Sequence, residues 1–120
     1  MLDPRLQKLM DEQEKLGGLR YSQLPEGAKL VVGTTNSTYC MEVVDKNTCK
    51  VSGGWFAEHN RDGETVVFSG STWGGSCIKL GWIGEFMQME FWVDSRPITT
   101  SAVRSCRIET PNGKFFQLWT

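Results

Sequence analysis

Hydrophobic and polar positions along this chain change rhythm once. Over the first eighteen residues, Leu6, Leu9, Met10 and Leu16 recur at helical spacing, with Lys8, Asp11, Glu12, Glu14 and Lys15 filling the opposite face. Asp3 before Pro4 is a start signal, because Asp caps free N–H groups and a proline in the first turn loses no needed donor. Gly17–Gly18 marks the stop. The pattern predicts an amphipathic helix over Asp3–Leu16, the body of an N-terminal unit of residues 1–18. A helix of this length is marginal alone, so its apolar stripe must dock on the chain's own sheet or on another molecule.

Beyond a connecting segment with a Pro25-Glu26-Gly27 turn, the rhythm becomes two. Residues 28–33, 37–45, 48–56 and 65–70 alternate apolar and polar side chains and are separated by turn formers, Asp45-Lys46-Asn47 and Asp62-Gly63 among them. Ile78, Leu80 and Trp82 share one expected face, then Met87, Met89, Phe91 and Val93 another, with Gln88 and Glu90 opposite and half exposed. Residues 98–108 supply one or two strands and 114–120 a last one. "TTSAVRSC" (99–106) suits either an edge strand guarded by its arginines or an exposed strand with hydrogen-bonding capacity. Short strands with turns at this spacing predict an all-β domain over residues 19–120, a small barrel or compact sandwich, mostly antiparallel, of roughly seven to nine strands. The expected core is Leu30, Val32, Met41, Val43, Val67, Ile78, Leu80, Met87, Met89, Phe91, Val103 and Ile108.

Length and charge narrow the partners. The 120 residues make one domain, and a formal net charge of -1 argues against strong non-specific nucleic-acid binding, which needs clustered Lys and Arg. No apolar run is long enough to span a bilayer, and "MLDPRLQKLMDEQEK" lacks the apolar segment of a signal peptide, so the expected location is the cytoplasm and no membrane is involved. Without a secretory route the acceptor pattern Asn36-Ser37-Thr38 carries no meaning. Cys40, Cys49, Cys77 and Cys106 form no zinc-type spacing and are expected as reduced, mostly buried thiols.

Candidate chemistry is sparse. Gly70-Ser-Thr-Trp-Gly-Gly75 satisfies half of a phosphate-binding loop, but Ser76 stands where the lysine belongs and Cys77 where the magnesium-binding hydroxyl belongs. A strand pattern follows instead of a helix, so the glycines are read as a bend or bulge. His59, the single histidine, lies in "AEHNRDGE" with Glu58, Asp62 and Glu64; this reads as a polar hairpin loop rather than a metal or acid–base centre. No Gly-x-Ser-x-Gly elbow surrounds any serine. No catalytic residue, metal or cofactor is expected, and the protein is not expected to be an enzyme.

Five tryptophans in a domain this small cannot all be equally buried. An exposed aromatic patch is a typical contact surface, which points to a non-catalytic binding or assembly module acting on a protein partner or on itself as a homo-oligomer. Its expected surface is Leu6, Leu9, Met10 and Leu16 of the helix with Trp73, Trp82, Trp92, Arg104 and Arg107 of the sheet. The alternative is a barrel that binds a small ligand or single-stranded nucleic acid through exposed Trp82 and Trp92, with Lys79, Arg96, Arg104 and Arg107 as the nearest basic residues. A third, weaker alternative is a small hydrolase or metal enzyme around His59.

Overall fold

The computed structural model describes residues 4–15, 17–74 and 77–119. Helix α1 (Pro4–Lys15) leads through β1 (Gly18–Arg20) and a 3₁₀ turn (Tyr21–Gln23) into β2 (Lys29–Thr34), β3 (Thr38–Val43) and β4 (Thr48–Gly53). A one-turn helix, α2 (Gly54–Glu58), precedes β5 (Glu64–Thr72), β6 (Ile78–Leu80), β7 (Trp82–Gly84), β8 (Gln88–Val93), β9 (Arg96–Glu109) and β10 (Phe115–Trp119). The fold is all-β as the alternation predicts, with ten strands among the described residues rather than seven to nine. No helix among the described residues is long and apolar enough to cross a membrane.

The pairings decide between sandwich and barrel. Antiparallel contacts run β2–β3, β3–β4, β4–β5, β5–β8, β8–β9 and β9–β2, a closed ring of six strands. Strand β9 completes it. Its N-terminal half pairs with β8 and its C-terminal half with β2, while β10 joins beyond β8 on the same edge. One register shift leaves Arg104 unpaired between Gly33↔Ser105 and Thr34↔Val103, and a second falls between Gln88 and Glu90. At the second, the Met89 N–H is taken up by Thr100 Oγ1 at 3.0 Å, so the bulge leaves no orphaned donor there. The segment 99–106 is therefore no edge strand: it sits at the seam with partners on both sides.

Cross-strand rows fill the interior. Ile108, Leu30, Met41 and Val51 face one another around the wall, as do Cys106, Val32 and Tyr39, then Val43, Cys49 and Val66, then Phe68, Phe91 and Ile98. All are buried. Ring contacts then run without a break from Tyr21 to Phe68 (5.2 Å between centroids), Phe91 (5.7 Å) and Phe56 (5.5 Å). Phe56 comes from α2, and Tyr21, whose hydroxyl donates to the Thr48 carbonyl at 2.7 Å, comes from the 3₁₀ turn, so the barrel is stoppered at both ends. The helix α1 packs against β1 and β10, with Met10 buried in the same core. One of the helix's two expected docking choices is thus realised: it docks on its own sheet.

Four expectations change. Val67 is 40% and Leu80 74% exposed, and Ile78 is only half-buried; Val66 and Phe68 take the inward positions of β5, and β6 lies outside the closed ring. The apolar run Trp55-Phe56-Ala57 forms α2, not the end of a strand, because one turn is too short to show a helical period. Trp82 does not continue the face of Ile78 and Leu80: Gly81, at φ 67°, breaks the strand and delivers Trp82 to β7. Of the cysteines only Cys49 and Cys106 are buried, while Cys40 and Cys77 lie at the surface, and all four are free thiols.

Burial pushes the Cys49 and Cys106 thiols from an ordinary 9.0 up to about 12. The unfolded chain loses those protons near pH 9 while the folded chain keeps them, so this stability is complete below pH 9 and is lost progressively from pH 9 toward 12. Each thiol contributes a slope of up to about 1.4 kcal/mol per pH unit in that window. Chemical denaturation at several pH values checks this. Cys49→Ala/Cys106→Ala should show a shallower alkaline decline than the parent, and equal slopes would contradict the assignment.

Candidate functional site

With the barrel interior packed, functional chemistry falls to its outer surface, and the loop between β5 and β8 builds the most developed site there. This excursion carries β6 and β7, neither of which the ring needs for closure. Ser71, fully buried, donates to the Trp82 carbonyl and accepts the Gly84 N–H at 3.2 Å, which ties β7 to the end of β5. Strand β7 pairs with β1, Leu19 opposite Ile83. Thr72 Oγ1 donates to the Cys77 carbonyl at 2.8 Å and accepts the Gly74 N–H at 3.2 Å, fixing both stems of the β5–β6 loop. At Gly70, φ is 150° and an added Cβ would collide with the Lys79 carbonyl oxygen, so only glycine lets β6 approach β5 there.

Between these elements lies a groove of about 560 Å³, walled by Trp73, Ile78, Lys79, Trp82, Phe86 and Met87, with Cys77 and Glu85 at its margin. Trp73 is 74% and Phe86 55% exposed. Lys79 Nζ lies 3.7 Å from the centroid of the Trp82 ring, and the Arg104 guanidinium stands 5.6 Å from that of Phe86. Phe86 is held at φ 67°, a left-handed backbone that a bulky side chain adopts only at a cost of order 1–3 kcal/mol. Its N–H donates to the Val103 carbonyl at 2.7 Å, so the turn is locked in that state. An aromatic ring that is mostly in water yet kept on a strained backbone is being presented, not stored.

The structure gathers some expected surface residues and disperses others. Trp73 and Trp82 share the groove, but Trp82 is only 5% exposed, so its expected place on an exposed face is corrected: it forms the floor, covered by Lys79. Arg104, the residue left over at the β9 bulge, reaches the groove through Phe86. Arg107 lies 5.5 Å from the ring of Phe115 instead. Trp92 sits elsewhere, on the outer barrel wall in an exposed row with Val67 and Pro97. Met10 is buried in the core; Leu16 and the side chains of Leu6 and Leu9 lie outside the described residues. Phe86 carried no sequence signal, because nothing in Gly84-Glu85-Phe86-Met87 announces a positive φ on the aromatic.

The His59 loop is organised by its own contacts. The imidazole stacks on Trp55 at 4.1 Å, and its Nδ1 lies 2.8 Å from the Trp55 carbonyl oxygen. Arg61 bonds Glu64 and, at 2.6 Å, Asp94, and the hydrogen bond it donates holds the Asp94 carboxyl below the usual carboxylate range. The loop therefore ties α2 to the β8–β9 turn. Among the described residues no three His, Cys, Asp or Glu side chains converge as a metal site would require. The chain matches no protein-family model, no curated protein and no solved structure.

Phe86→Gly discriminates presentation from packing. Glycine relieves the left-handed strain, so stability should hold or rise by up to about 1 kcal/mol despite the lost ring. A loss above about 2 kcal/mol in urea denaturation would mark Phe86 as a core-type residue and remove it from the site.

Proposed function

We propose that this protein is a non-catalytic binding module whose contact surface is the groove of the β5–β8 excursion. One observation carries the reading: Trp73 and Phe86, large and exposed, line the same groove on an insertion that barrel closure does not require, and one of them costs backbone strain. Aromatic side chains with few rotatable bonds are the residue type that anchors protein interfaces. The chemistry on the groove's walls is that of contact. Trp73, Trp82, Ile78 and Met87 offer apolar area, Lys79 and Glu85 one charge of each sign, and Arg104 a planar donor group.

A second reading has its own support. Trp73 shares the groove with Lys79, which covers Trp82, and Arg104 covers Phe86, an arrangement that also suits stacking of bases or other planar ligands. The partner we favour is protein, since the groove carries Glu85 as well as Lys79 and the chain has no basic excess.

Native mass spectrometry of tagged protein, purified gently from its source cells, separates these. The parent should carry a stoichiometric protein partner or a second copy of itself. Trp73→Ser/Phe86→Gly should lose it, and Trp92→Ser should keep it. Equal retention by all three, a bare monomer throughout, or a monomer carrying only nucleotide-sized mass would overturn the proposal.

A further inference from the structure

Resting on that reading, we infer the mode of binding and the chemistry of the partner: an extended, acidic segment of another protein adds as a strand to the free edge of β6 and sends one side chain into the groove. Strand β6 terminates its sheet. It pairs with β5 alone, Gly70↔Leu80, Ser71↔Lys79 and Thr72↔Ile78. The Gly81 N–H donates to the Ser69 carbonyl at 2.9 Å, so in this antiparallel register the bonded pairs are Ser69/Gly81 and Ser71/Lys79. The N–H and C=O groups of Ile78 and Leu80 consequently face away from β5. Among the described residues no strand meets them. Two donors and two acceptors in a row are the template that strand addition uses.

Side-chain alternation then dictates what the added strand must carry. Lys79 points to the groove, over Trp82, with Ile78 bordering it, whereas Leu80 lies outside the groove. A partner residue directly opposite Lys79 enters the groove between Trp73 and Phe86, within reach of the ammonium, and an acidic residue there forms the favourable cross-strand pair. Its two neighbours lie beside Ile78 and Leu80, where β-branched or aromatic side chains cover the 74% of Leu80 now in water. Glu85 on the groove's margin disfavours a second acid deeper in. The pattern recognised is apolar, acidic, apolar.

The same lysine argues against a second copy of this chain adding through its own β6. Antiparallel pairing of two β6 edges about their centre would set Lys79 against the Lys79 of the other copy, and like charges directly opposite destabilise a ladder. Lysine on an edge strand is a common guard against such self-pairing. The occupant is therefore a different polypeptide.

Panning a library of random nine-residue peptides on the full chain, followed by fluorescence anisotropy with labelled peptides, tests this. Enriched peptides should share an acidic residue flanked by β-branched or aromatic ones. Backbone N-methylation of either flanking residue should weaken binding about tenfold or more, since each removes a ladder donor, whereas methylation of the acidic residue itself should change little. Lys79→Glu should shift enrichment to a basic central residue. No enrichment, binding indifferent to the position of methylation, or salt-sensitive binding of a dT15 oligonucleotide in place of peptides would each overturn the inference. Peptide binding that is lost in Phe86→Gly yet indifferent to methylation would defeat strand addition alone and leave the groove as the contact surface.

Discussion

The structure depends on one strand being long enough to have two neighbours in succession. Strand β9, fourteen residues long, pairs with β8 over its first half and β2 over its second, and this closes the ring. A straight strand could not do both, because closure requires tilt and stagger. The two register irregularities supply the bend, and Thr100, buried at one of them, accepts the amide that the bend would otherwise orphan. Closure removes the unpaired edges of six strands at once. It also confines the apolar side chains to a volume that Tyr21, Phe68, Phe91 and Phe56 fill along the axis.

A filled interior decides where function can reside. Barrels that hold a ligand leave space inside the wall, and here aromatic rings in contact occupy that space, with stoppers from the 3₁₀ turn and from α2. What the ring does not use is the excursion between β5 and β8. Its strands are three residues each, and its stems are held by Ser71 and Thr72. It presents Trp73 and Phe86 to water. A rigid barrel therefore carries a small, firmly anchored outgrowth, the arrangement by which loops acquire binding roles on stable scaffolds.

Much of the barrel was legible because one wall of each strand is packed and the other wet. That alternation is plain in Tyr39, Met41 and Val43, and in Met87, Met89, Phe91 and Val93. It fails where two adjacent residues are equally apolar. Val66 and Val67 satisfy period two in either register, and only their pairing with Cys49 and Thr48 sends the first inward and the second outward. It fails again where the chain leaves the wall, since Ile78, Leu80 and Trp82 keep the spacing of one face although Gly81 divides them between two sheets. The site was half legible. Trp73 and Arg104 stood out by type, but Phe86 became significant through its backbone, and Trp82 lost exposure to Lys79, a contact between side chains on different strands. The His59 loop, read as a turn, is a tie that uses Arg61 to join two distant segments.

Amide hydrogen exchange on the free protein, followed residue by residue, separates a closed barrel with one open, outward edge at β6 from any unclosed arrangement of the same strands. A closed barrel predicts slow exchange along both seams of β9, represented by the amides of Val31 and Arg107 against β2 and of Phe91 and Ile98 against β8. The outward amides of Ile78 and Leu80 should exchange at rates close to those of an unprotected chain, while Lys79, bonded to β5, is slower. Fast exchange along either seam of β9, or protection of Ile78 and Leu80 in the monomer, would contradict it.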